Sequence, residues 1–203
     1  MELTQAQIAW LNECTRGTWS LNKKGLVDID GDFNCTDENL KDFKGVKFGV
    51  VRGDFYCRRN QLTSLEGAPQ EVEGSFDCSR NQLTSLEGAP QEVRGDFDCR
   101  HNKLTSLVGA PQEVGFDFDC DDNKLTSLEG APRVVRRYFS CHDNPITAAT
   151  LELIHETMVE RDVPYIIALG LLRIRINKEE FDKLSSGYNE GSLNAASIMS
   201  RFV

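Results

Sequence analysis

Residues 95–114 read GDFDCRHNKLTSLVGAPQEV, and close variants of this unit follow one another through the middle of the chain. One cysteine per copy marks the step of 21 residues: Cys57, Cys78, Cys99, Cys120 and Cys141. Cys35 lies 22 residues before the first of these, in a sixth and degenerate copy. A fixed period of this length is typical of a solenoid, in which each unit stacks on the one before it.

The spacing of Leu and Asn within the unit favours the leucine-rich repeat class, in which a coil is one strand and one return loop. We therefore expect an α/β solenoid: a leucine-rich repeat with short parallel strands in about six coils and mostly non-helical return loops. The predicted boundaries are an N-terminal helical cap at 1–30, the solenoid at 31–146 and an all-helical C-terminal cap or extension at 147–203.

Identical positions of consecutive coils should stack about 4.8 Å apart, like neighbouring strands of a parallel sheet. The Phe and the Cys two residues after it share one side of a strand, so both columns are predicted to point inward. The Asn of each coil stands where the strand ends, and its amide can bond to the backbone of the turn. A glycine with positive φ is expected before each Ala-Pro: Gly67, Gly88, Gly109 and Gly130.

Six of the seven cysteines occupy one inward column, and the chain has no C-x-x-C pair. A thiol in that column is predicted to fill space beside Phe, so we expect neither disulfides nor a metal site. Buried reduced thiols indicate a reducing compartment. With no signal peptide and no apolar run of membrane-spanning length, the sequence predicts a cytoplasmic protein without a membrane partner.

The two ends of the chain differ from the repeats. Residues Thr4–Gln7 have the form of a capping box at the start of a helix, and a strand pair is predicted at 19–21 and 26–29. Thr147 can N-cap a helix of about 14 residues that closes the other end. The residues from Val163 onward are either further cap and core or a second functional surface.

The strand face of the repeats is the expected working surface, because its side chains alternate with the core residues on a rigid row. Like charges in adjacent strands repel, so the acidic residues there are predicted to lack a stabilising role and to suit a cationic partner. The alternative is that neighbouring Arg and Asp rows pair with little net effect. The predicted partner-binding residues are Asp54, Tyr56, Arg58, Asp77, Arg80, Asp96, Asp98, Arg100, Asp117, Asp119 and Tyr138.

The area of this face is limited. Six strands give roughly 430 Å², against ~800 Å² per partner in a standard interface, so loops or the C-terminal residues must contribute.

An enzyme is not expected, because the three histidines have no ligand-like spacing and no nucleotide-binding or nucleophile motif is present. We predict no cofactor. Asp pairs such as Asp96 with Asp98 are candidate Ca²⁺ ligands, but they lack the Gly-rich turns of calcium-binding repeats. With a net charge of −9, direct nucleic-acid binding is not expected, although an acidic face can imitate nucleic acid.

Units such as Gly95–Leu107, followed by Gly109-Ala110-Pro111, resemble leucine-rich repeat proteins. The closest resemblance is to a group of uncharacterised leucine-rich repeat proteins of tailed bacteriophages with a 21-residue repeat, and it covers about Trp19 to Leu153. The repeat portion of secreted bacterial effectors is also similar, but the remaining residues cannot hold a ubiquitin-ligase domain.

The phage resemblance implies action inside a bacterial cell, for instance binding or inhibiting a host or defence protein. The predicted function is accordingly a non-enzymatic scaffold that binds a partner protein through the strand face. The alternatives are an acidic nucleic-acid-mimicking inhibitor and a structural virion or assembly component.

Overall fold

The computed structural model describes residues 2–146, which form a parallel β-solenoid of about five turns with little helix. Within these residues the only helix is α1 (Gln5–Cys14), so the described part is a β-solenoid and not the α/β solenoid predicted. The helical extension predicted at 147–203 lies outside the described residues.

Helix α1 begins at the predicted capping box. The Thr4 hydroxyl accepts a hydrogen bond from the Gln7 N–H (3.3 Å), and the Gln7 side-chain oxygen accepts one from the Thr4 N–H (2.8 Å). The helix buries Trp10, whose ring meets the Phe33 ring edge-on at 5.3 Å. Helix α1 therefore packs on the first ring of the aromatic core.

An antiparallel hairpin follows the helix, as predicted. It consists of β1 (Thr15–Leu21) and β2 (Val27–Asn34), with Trp19 opposite Ile29. Strand β2 then starts two parallel ladders, because its first half pairs with one neighbour and Phe33–Asn34 pairs with another. The strand of the degenerate first copy, Phe33–Asn34, is thus the end of the hairpin strand β2. The solenoid therefore has about five turns instead of the six coils expected.

Each turn contributes two short strands, not the one strand predicted. The Glu-Val ladder is β3 (Phe48–Val51), β5 (Glu71–Val72), β7 (Glu92–Val93), β9 (Glu113–Val114) and β11 (Val134–Val135). The Phe-Asp ladder is β4 (Phe55–Tyr56), β6 (Phe76–Asp77), β8 (Phe97–Asp98), β10 (Phe118–Asp119) and β12 (Phe139–Ser140). The valine of most Glu-Val strands is buried like the phenylalanine, so both ladders close on one core.

The core is a stack of identical side chains, as the columns predicted. Consecutive phenylalanine rings from Phe33 to Phe139 lie 5.0–5.5 Å apart with interplanar angles of 5–21°. Such pairs add roughly 0.5–1.5 kcal/mol each beyond area burial. All seven cysteines are free and buried, and the six from Cys35 to Cys141 confirm the predicted inward column. Each coil is therefore stabilised mainly through its neighbours.

The asparagine column bonds to the backbone of its own turn, as predicted, and it also joins consecutive coils. Asn102 donates to the carbonyls of Cys78 (3.1 Å) and Cys99 (3.0 Å), and its oxygen accepts the N–H of Leu83 (3.0 Å). The glycines before Ala-Pro have φ between +83° and +93°, which confirms the turn prediction. These turns hold the strands in a fixed register, and that register positions the outer face.

Candidate partner-binding surface

The strand face consists of the outward side chains of the Phe-Asp ladder. One residue per turn lies in parallel register with the next: Asn34, Tyr56, Asp77, Asp98, Asp119 and Ser140. The sequence prediction placed its central binding residues in this row, and the structure brings them together.

The three aspartates of this row form a carboxylate ladder, Asp77, Asp98 and Asp119. Each accepts a hydrogen bond from the backbone N–H two residues later, at 3.0, 3.1 and 3.0 Å respectively. This contact satisfies a donor at the point where the strand ends. The expectation that these aspartates lack a stabilising role was therefore wrong, because a short carboxylate also caps the strand.

The carboxylate ladder is electrostatically costly. Burial, followed by the neighbouring charge of Asp77, raises the pKa of Asp98 to about 7, although the N–H and guanidinium of Arg100 oppose the shift. Burial likewise raises the pKa of Asp119. These carboxylates are held side by side where water does not fully solvate them.

Two arginines partly compensate the carboxylate ladder. The Arg100 side chain lies 3.0 Å from Asp98 and 3.4 Å from Asp119, while Arg58 lies 3.6 Å from Asp77. About half of each guanidinium side chain remains exposed, at 50% for Arg58 and 47% for Arg100. The predicted pairing of rows thus occurs, and it leaves the basic groups within reach of a ligand.

Tyr56 continues the row at the N-terminal end of the carboxylate ladder. Its hydroxyl donates to the Asp54 carboxylate at 2.6 Å. Burial and this hydrogen bond raise the pKa of Tyr56 to about 12. The phenol is therefore neutral and oriented at the surface.

A second acidic column lies at the corner between the two ladders. Here the hydrogen bonds change direction: Arg94 N–H bonds to Val72 of the turn before, whereas Phe97 N–H bonds to Asp117 of the turn after. Between them, the N–H of Asp96 bonds to the Ser75 hydroxyl of the preceding turn at 3.1 Å.

Carboxylates fill the same role in the neighbouring turns. Asp54 accepts from Ser75 (2.8 Å), Asp96 from Asp117 (3.0 Å) and Asp117 from Tyr138 (3.1 Å). The sequence prediction assigned Asp54, Asp96 and Asp117 to binding only and missed this function. A signal was present, since every turn has a short polar residue there or, in the last turn, Tyr138.

Arg80 lies at the edge of the strand face. It belongs to a row of non-glycine residues with φ of 52–60°, which stand before each Asn of the column and before Glu38 in the first copy: Asp37, Arg59, Arg80, His101, Asp122 and Asp143. Arg80 approaches His101 at 3.3 Å, and the other nitrogen of that ring lies 3.3 Å from Asp122. A left-handed turn at a non-glycine residue repeats here, and the sequence analysis did not predict it.

Residues 2–146 contain no group of three His, Cys, Asp or Glu side chains placed to hold a metal ion. In the same part of the chain, no helix has the length and apolarity needed to cross a membrane. The chain matches no protein-family model, and neither a curated protein nor a solved structure is detectably similar to it.

Proposed function

We propose that this protein is a non-enzymatic scaffold that binds a partner protein through its strand face. The observation that carries the proposal is the carboxylate ladder of Asp77, Asp98 and Asp119, which stands beside half-exposed Arg58 and Arg100. Burial raises the pKa of Asp98 and Asp119, and the charge of Asp77 raises that of Asp98 further, so these two carboxylates gain from a cation that approaches them. A basic side chain of a partner supplies that cation.

The rigidity of the face supports the same proposal. Backbone N–H groups hold one oxygen of each carboxylate, and the strand register fixes the spacing between turns. A partner therefore meets charges that are already in place, which reduces the entropy lost on binding. Mixed acidic and basic rows favour recognition by charge complementarity more than by apolar burial.

We propose a leucine-rich repeat protein of tailed-bacteriophage type, cytoplasmic in a bacterial host, that binds or inhibits a host or defence protein. The 21-residue period, the short parallel strands and the inter-turn asparagine bonds support the repeat class. Two alternative functions imply different partners. If the protein is an acidic nucleic-acid mimic, its partner should have a strongly basic groove; if it is an assembly component, its partner should be a virion protein.

The test is a pull-down from bacterial lysate with the intact chain, followed by a binding titration with the purified partner. The variant Asp77→Asn/Asp98→Asn/Asp119→Asn removes three charges and keeps the oxygen that accepts each backbone hydrogen bond. The matched control, Glu66→Gln/Glu87→Gln/Glu129→Gln, removes three carboxylates from the exposed return loops.

We expect the intact chain and the Glu control to bind one partner with salt-dependent affinity, and the triple Asn variant to bind at least about tenfold more weakly. Equal binding by the triple Asn variant would remove the strand face as the binding surface. Capture of no partner by the intact chain would count against a protein-binding function.

A further inference from the structure

Equivalent residues of consecutive turns lie in register, and the corner between the two ladders changes in residue type along the stack. The corner residue two before the core phenylalanine is Gly53, Gly74 and Gly95 in three consecutive turns, then Phe116 and Arg137. A Cβ added at Gly95 would lie 2.5 Å from the Ser75 hydroxyl and 2.6 Å from the Gly74 carbonyl carbon. Glycine there has a steric reason, so its replacement in the last two turns calls for another explanation.

Packing does not supply that explanation. The Phe116 side chain is 48% exposed, and the neighbouring turn adds Tyr138 at 55% and Val134 at 39%. The Arg137 guanidinium lies 5.6 Å from the centre of the Phe116 ring, and the backbone of Arg137 bonds to the Phe116 carbonyl at 3.2 Å. Exposed aromatic rings contribute little to folding, whereas Tyr and Arg are enriched among the residues that dominate binding energies.

These residues form a corner patch, defined as Phe116, Val134, Arg136, Arg137 and Tyr138. It lies at the outer corner between the two ladders in the last two turns, and only Tyr138 was among the predicted strand-face residues. The patch is therefore a separate surface from the carboxylate ladder.

The charge of the corner patch indicates the chemistry of its ligand. Arg133 and Arg137 have no ion pair within the described part of the chain, and Arg136 reaches only Glu113 at 4.0 Å. This basic cluster stands out in a chain of net charge −9. Carboxylates of Glu113 and Asp117 flank it, so a continuous phosphate backbone would meet repulsion on either side.

We propose that the corner patch binds a short segment of a partner protein in which a carboxylate stands next to a large apolar side chain. The carboxylate pairs with Arg137, and the apolar side chain packs on Phe116 and Tyr138. Desolvation by the rings strengthens the ion pair, as at other aromatic and arginine binding centres. This inference does not depend on the proposed role of the strand face.

The test uses the full chain and a displayed library of random 16-residue peptides, with the enriched peptides then measured individually by fluorescence anisotropy. The test variant Phe116→Gly/Arg137→Gly restores the residue that the earlier turns have. The second variant, Tyr138→Asp, restores the aspartate of Asp96 and Asp117. The matched control is Val108→Glu, which restores the glutamate of Glu66 and Glu87 and removes an exposed apolar residue elsewhere.

We expect enriched peptides to contain Asp or Glu beside Phe, Leu, Ile or Trp. They should bind both patch variants about thirty-fold more weakly and the Val108→Glu control unchanged, with far-ultraviolet circular dichroism unaltered. No enrichment, or equal binding by the patch variants, would overturn the proposal.

Two further measurements decide against the other possible ligands. If a fluorescent oligothymidylate binds the natural chain and both patch variants lose that binding, nucleic acid is the ligand and the proposal is overturned. If light scattering shows a dimer of the natural chain and monomers of both patch variants, the occupant of the patch is a second copy of the chain and the proposal is overturned.

Discussion

Asp98 makes the stability of this protein depend on pH in an unusual direction. In the folded chain the pKa of Asp98 is raised to about 7 from 3.8, mainly by burial. Between these values the unfolded chain loses this proton while the folded chain keeps it, so the unfolded state binds fewer protons. The free energy of unfolding therefore falls as pH rises through this window and is fully retained only below about pH 4.

The magnitude follows from the shift. Each pH unit inside the window changes the free energy of unfolding by about 1.4 kcal/mol, so the Asp98 contribution between pH 4.5 and pH 8 is about 3 kcal/mol. The variant Asp98→Asn keeps an oxygen that can accept the Arg100 N–H, now at 3.1 Å, and removes the titration. Asn34 of β2 occupies the equivalent position at the start of the Phe-Asp ladder and accepts the Thr36 N–H at 3.1 Å, so an asparagine side chain fits the fold here.

Urea unfolding followed by circular dichroism at both pH values checks the prediction. Asp98→Asn should gain about 3 kcal/mol relative to the natural chain on going from pH 4.5 to pH 8, because its intrinsic effect cancels in that comparison. Asp96→Asn is the control, since it removes an exposed carboxylate from the same segment, and its change must be smaller. If Asp98→Asn shifts stability equally at the two pH values, the burial argument for this carboxylate fails.

Two further predictions concern the core columns. Replacing Asn102 with Ala orphans the buried Leu83 N–H and removes one of the two asparagine donors from each of the Cys78 and Cys99 carbonyls, which keep Asn81 and Asn123. The free energy of unfolding should therefore fall by about 2–4 kcal/mol in urea titrations, whereas the half-buried Asn144→Ala should cost less; equal losses would contradict this account. Burial raises the pKa of four thiols: Cys57, Cys78, Cys99 and Cys120. In the folded protein these thiols should not react with an aromatic disulfide reagent at pH 8, whereas all seven thiols should react in urea. Rapid labelling of the folded chain would contradict this account and show that the thiol column opens.

Period-based reasoning predicted the inner columns well. Side chains such as Phe97 and Cys99 repeat every 21 residues with the two-residue alternation of a strand, and only one side of a strand can be buried. The asparagine contacts within each turn were also predictable, because a buried turn must satisfy its backbone groups, but the bonds to the preceding turn were not foreseen. The second strand of each turn was missed, since Glu92–Val93 is a two-residue element with no alternation of its own to detect.

The sequence predicts which residues lie on the outer face, but it does not predict what each of their side chains contacts. Asp96 and Asp98 look alike in the sequence, but Asp96 accepts a backbone N–H from the next turn and Asp98 accepts one from its own turn. Burial between neighbouring turns also raises the pKa of Asp98. Such differences depend on which groups lie across the coil, and a single repeat does not contain that information.

The repeat length, the stacked core and the outward positions can be read from the residues alone, because they follow from local spacing and from the need to bury apolar side chains. The change of hydrogen-bond direction at the corner, the desolvation of particular carboxylates and the contact of Phe116 with Arg137 one turn away are visible only in the folded chain. Those properties arise between turns, where residues separated by a full repeat come into contact.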